Sequence, residues 1–101
     1  MIIAQLTVVP IGTGSQSLSD FVAGFETELK RMGFEPRLSA MSTVIEAETM
    51  DRILEAVKRL HDMIFENGAK RALTSVTIDE RRDRKGSIDQ KIKSVQSKMS
   101  E

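Results

Sequence analysis

Two stretches of the sequence carry residues whose types and spacing could do chemistry. Ser42-Thr43-Val44-Ile45-Glu46-Ala47-Glu48 sets two hydroxyls and two carboxylates on one short run. In an extended chain Glu46 and Glu48 share a face, about 6–7 Å apart. Carboxylates so placed could act as acid and base, hold a cation or hydrogen-bond a nitrogen heterocycle. The same residues also fit an exposed strand whose charges discourage edge pairing. Gly12-Thr13-Gly14-Ser15 lies between an apolar β-branched run and a helix start. Backbone amides can hold an anion there, but a tight turn with a helix cap uses the same residues. It is not a dinucleotide fingerprint, since Ser17 stands where a third glycine belongs. It is not a P-loop either, because no Gly-Lys-Ser/Thr follows.

Other reactive side chains are few. His61 is the only histidine and there is no cysteine, so a zinc site and thiolate chemistry have no donor set; no metal site is expected. Glu80-Arg81-Arg82-Asp83-Arg84-Lys85-Gly86 mixes both charge signs, as a solvated connector or an ion-pair cluster between subunits would. An anion site on Arg81, Arg82 or Arg84 is a further reading of it.

The elements that must position these residues are legible from periodicity. Ile2 to Val9 is β-branched and reads as a strand stopped by Pro10. Leu18, Phe21, Val22, Phe25, Leu29 and Met32 form one helical stripe, with Ser17 as cap and Gly33 as stop. Pro36 to Ala40 and Ser42 to Glu48 make a hairpin. A helix from Met50 to about Glu66 follows, capped by Thr49 and ended by Asn67-Gly68, with Ile53, Val57, Leu60 and Ile64 inward. Leu73 to Asp79 is the last strand. Residues 80–86 connect to a C-terminal helix over 87–99, opened by the capping box Ser87-Ile88-Asp89-Gln90.

This order, β-α-β-β-α-β plus one helix, predicts a single ferredoxin-like α+β domain over residues 1–101. A four-stranded antiparallel sheet would carry two helices on one face. Alternation then sends Ala4, Leu6, Val8, Thr43, Ile45, Ala47, Val76 and Ile78 toward those helices. Ile3, Gln5, Thr7, Val9, Val44, Glu46, Leu73, Ser75, Thr77 and Asp79 go to the open face. That face mixes apolar groups with hydroxyls and carboxylates, and the last helix adds an apolar stripe of Ile88, Ile92, Val95 and Met99. Cover by a second copy of the chain is the expected destination of both.

Composition removes several classes. The 101 residues hold 15 basic and 15 acidic side chains, against the basic surplus of a nucleic-acid binder. All four phenylalanines lie on or beside helices, which leaves no aromatic platform on the sheet for RNA bases. The loop after the first strand has no arginine for an acylphosphatase-like phosphate site. The start, Met1 to Ile11, lacks the basic leader of a secretory signal, and no apolar run approaches the roughly 20 residues of a membrane span. A cytoplasmic protein with no membrane association is expected.

Three runs taken in order carry a resemblance: Val9-Pro10-Ile11-Gly12-Thr13 with Asp20-Phe21-Val22-Ala23, then Ser42-Thr43-Val44-Ile45-Glu46-Ala47, then Ile78-Asp79-Glu80-Arg81-Arg82-Asp83. Nearly the whole chain resembles the small thiamine-binding, YkoF-like proteins. Ala47 departs from the glycine many of them carry after the glutamate. The resemblance implies a ferredoxin-like plait, dimers through sheet-to-sheet contact, often tetramers, and binding of thiamine or its hydroxymethylpyrimidine portion without a known reaction. On that reading Ser42, Thr43 and Glu46 would orient the polar edge of the ligand, with Thr7 and Ser39 beside them. Phe, Met or aliphatic groups would cover the ring. No resident cofactor is implied. The alternative is a structural or regulatory assembly module holding an unrelated small anion at Gly12 to Ser15. A third class, an enzyme working through Glu46 and Glu48, would need a product in a turnover assay.

Overall fold

The computed structural model describes residues 1–12 and 17–99. Its elements run β1 (Ile2–Ile11), α1 (Leu18–Arg31), β2 (Arg37–Leu38), β3 (Thr43–Ala47), α2 (Met50–Glu66), β4 (Arg71–Asp79) and α3 (Ile88–Gln96). The four strands form one antiparallel sheet in the order β2-β3-β1-β4. This is the ferredoxin-like α+β fold expected from the element order.

Alternation builds the core. Ile2, Ala4, Leu6 and Val8 of β1 and Thr43, Ile45 and Ala47 of β3 are buried. They meet Phe21, Phe25 and Leu29 of α1 and Ile53, Ala56, Leu60 and Ile64 of α2. Val76 packs against this core, while Ile78 at the end of β4 is 38% exposed. Fully burying such aliphatic side chains stabilises by roughly 1.5–3 kcal/mol each, so the two stripes account for the placement of α1 and α2.

Helix ends follow local chemistry. Thr49 Oγ1 accepts from Arg52 N–H at 3.3 Å, as a cap should. Ser17 occupies the cap position of α1, but its hydroxyl donates to Asp20 Oδ2 at 3.0 Å and makes no cap bond; the first-turn carboxylate competes for it. Gly33 ends α1 with φ +94°, a conformation that strains residues with a Cβ. Arg52 joins the two helices: its guanidinium donates to Met32 O at 2.6 Å and lies 4.4 Å from the Phe34 ring centroid.

Two strand limits differ from the sequence reading and share one cause. β1 continues through Pro10 to Ile11, paired with β4 up to Ile11↔Arg71. Its pairing with β3 stops at Leu6↔Thr43. Beyond Leu6, β1 therefore has a partner on one side only, and an edge position tolerates a residue with no N–H. The hairpin strands are shorter than expected, because Ser39 to Ser42 close a turn instead of pairing.

The last helix also differs. Ser87 caps it, accepting from Gln90 N–H at 3.1 Å, and Ile88 is buried against the chain's own sheet. Glu46 accepts from Ile88 N–H at 2.8 Å, Arg37 pairs with Asp89 at 2.8 Å, and Lys91 pairs with Asp79. Register places Arg37, Glu46 and Asp79 on the face opposite α1 and α2. The first turn of α3 thus lies across that face, from β2 toward β4. Ile92, Val95 and Met99 remain 44, 63 and 68% exposed.

Candidate functional site

The one-sided stretch of β1 creates a notch. Where β3 turns away at Ser42, the Thr7–Val9 segment faces the turn Ser39–Ser42 across a gap. Leu18, Val22 and Phe25 of α1 close the gap on the helix side. The result is a cavity of about 140 Å³ whose walls are mostly aliphatic, with Phe25 and Met41 among them. The hydroxyl residues Thr7, Ser39, Ser42 and Thr43 belong to its lining. Four of the five residues singled out from the sequence for a ligand's polar edge therefore meet here.

Their hydroxyls are not equivalent. Ser39 Oγ donates to Ser42 O at 3.1 Å and accepts the Met41 and Ser42 amides at 3.3 and 3.2 Å. One donor and two acceptors exhaust a hydroxyl, so Ser39 braces the turn that forms the wall. Ser42 Oγ accepts from Gln5 Nε2 at 3.0 Å on the open face. Thr43 Oγ1 donates to Glu26 Oε1 at 3.2 Å on the helix face. The two neighbouring hydroxyls thus flank the notch from opposite sides of the sheet, as strand alternation requires.

Glu26 is not among the residues that the sequence singles out. It lies one turn beyond Val22, on the flank of the α1 stripe, and a carboxylate at that spacing was the available signal. Burial pushes its carboxyl above the ordinary glutamate value, while the Thr43 hydrogen bond and the charge of Lys30 pull partway back. Its Oε2 is buried with no hydrogen-bond partner, an arrangement that costs free energy unless something answers it.

Glu46, the fifth residue, does not line the cavity; it holds the first amide of α3. Glu48 is exposed and lies past the end of β3, so the two carboxylates do not form one strand-borne pair. At the anion-loop candidate, Gly12 has φ +75°, whereas Thr13, Gly14 and Ser15 lie outside the described residues. His61 shares a 2.7 Å hydrogen bond with Thr74 Oγ1 and meets Phe65 edge-on. In the connector, Arg81 grips Asp83 through two 2.8 Å bonds and Arg82 pairs with Glu80 at 2.9 Å, so neither presents a free cation. Among the described residues no cluster of His, Asp or Glu is suited to a metal ion, and no helix is long and apolar enough to cross a membrane.

Fold and cavity together define a small ferredoxin-like protein with a mostly apolar notch edged by hydroxyls. Comparison with known proteins narrows this. The model of the thiamine-binding protein family matches residues 4–96, and the chain belongs to that family. A UPF0045 protein of Methanothermobacter thermautotrophicus is 41% identical over 99 residues, covering 98% of this chain and 100% of that one. The UPF0045 protein YqgV of Bacillus subtilis is 36% identical, covering 94% of each. Among solved structures, a hypothetical protein of Methanocaldococcus jannaschii superposes with a TM-score of 0.83 at 32% identity, over 94% of this chain and 95% of that one. A Thermotoga maritima protein named as a candidate for thiamine biosynthesis or salvage has a TM-score of 0.76 at 21% identity, over 93% and 97% of the two chains; that likeness concerns the fold.

Proposed function

We propose that this chain is a non-catalytic binder of thiamine or its hydroxymethylpyrimidine portion, and that the ligand occupies the notch between β1 and the β2–β3 turn. One observation carries the reading: in a chain of the thiamine-binding family, Thr7, Ser42 and Thr43 line a cavity together with Leu18, Val22, Phe25 and Met41. A flat, methylated aminopyrimidine needs that combination, aliphatic surface for its faces and a few polar atoms for its edge. Ser42, relieved as an acceptor by Gln5, has a proton to give to a ring nitrogen. Ser39 supports the turn, and Glu46 fastens α3 instead of touching the ligand.

Residues 1–101 act on this reading as one domain that self-associates. The open sheet face with Leu73, and the Ile92, Val95 and Met99 stripe of α3, supply apolar surface that a second copy would cover. Titration calorimetry of the purified protein with thiamine tests the binding claim. Saturable heat with a matching rise in Tm is expected, and no heat with no thermal shift at millimolar thiamine contradicts it.

A further inference from the structure

The Thr43–Glu26 pair decides which edge of a ligand the notch accepts. A threonine hydroxyl has one proton and two lone pairs. At Thr43 the proton goes to Glu26 Oε1, at 3.2 Å, and an ionised carboxylate can only accept. What Thr43 shows to the cavity is therefore lone pairs alone. Glu26 itself does not line the cavity, and its Oε2 is buried and unpartnered, so it acts on the ligand through Thr43. We propose that Glu26 is a positioning residue that commits the Thr43 proton, so that the inner corner of the notch selects a ring amino group over a ring oxo group. This rests on the ligand occupying the notch, and it adds the identity of the edge that enters first.

The chemistry of the alternative makes the selection sharp. A carbonyl oxygen set against the Thr43 oxygen would meet no proton and would lose its own water, the costly case for a buried polar atom. An amino group at the same place supplies the missing donor. Lys30, one turn further along α1, is the charged group acting on Glu26, and it favours the ionised form. Thr43 faces Glu26 from β3 and carries no charge.

Thiamine and oxythiamine, which differ at this one ring substituent, test the inference by titration calorimetry at pH 8. The wild-type protein should bind thiamine about tenfold more tightly, the factor of one mismatched buried hydrogen bond. In Glu26→Gln the side-chain amide can donate to Thr43, which frees the threonine proton, and the ratio should fall below about threefold. Thr43→Val removes the acceptor and should level the two affinities by weakening thiamine, which keeps the test available should the glutamine variant fold poorly. A wild-type ratio near one, or a tenfold ratio that survives either substitution, overturns the proposal while leaving the notch as a binding site. Failure of the wild type to bind either compound overturns both readings.

Discussion

At the scale of single residues, Glu26 and Thr43 carry the argument because each explains the other's chemistry. A carboxyl taken out of water resists ionisation, and the Thr43 hydrogen bond is the largest influence working against that resistance. Removing the hydroxyl in Thr43→Val should therefore raise the Glu26 midpoint further. A carboxyl-carbon NMR titration checks this, and a midpoint that stays or falls would show that the bond is not formed in solution. The sign for stability is fixed as well. A carboxyl whose folded value is raised binds its proton more tightly in the native state, so its contribution favours the fold as pH falls through that window and opposes it as pH rises. Ser39 teaches a different lesson. Its hydroxyl was a candidate contact by type alone, yet three hydrogen bonds within its own turn leave it nothing to offer a ligand.

At the scale of elements, most of the architecture was legible because each stripe is local. The Phe21, Phe25, Leu29 spacing and the Thr49 and Ser87 caps marked the helices, and alternation assigned the faces of β1 and β3 correctly. The notch was not legible. It depends on β3 leaving β1 at Leu6, a register that no local pattern states, and Pro10, a strand stop by residue type, marks a one-sided strand instead. Nor could chain order show that Glu46 meets an amide 42 positions away. The docking of α3 yields a prediction. A charge-assisted hydrogen bond contributes roughly 1.5–3 kcal/mol, so Glu46→Ala should speed hydrogen exchange at α3 amides by about ten- to a hundredfold while the core amides of α2 hold. Acid should act in the same direction. The Arg37 guanidinium keeps Asp89 below the usual aspartate value, so that pair supports docking above the ordinary carboxyl range and is lost as pH falls through the lowered value. Exchange rates at α3 that ignore both changes would contradict the clasp.

At the scale of the whole molecule, the sheet has two different faces. One is sealed by α1 and α2. Among the described residues the other carries only the first turn of α3, and it leaves Leu73, Ile92, Val95 and Met99 largely exposed. A 101-residue chain gains little by exposing such groups unless a partner covers them. Sedimentation velocity should give a mass above that of one chain, and Ile92→Lys with Val95→Lys should reduce it without loss of helical signal. A wild-type protein that sediments as a monomer at high micromolar concentration contradicts self-association. Leu73 pairs with Val9, a residue of the notch lining, so a partner covering this face would reach the edge of the notch.

The central claim is the place of the ligand, and amide chemical-shift mapping during a thiamine titration tests it most directly. The largest saturable shifts should fall on Thr7 to Val9, Ser39 to Thr43 and Val22, with the α3 amides unmoved. Shifts centred on Gly12 to Ser15 or on Glu46 and α3, or none at millimolar thiamine, would contradict it.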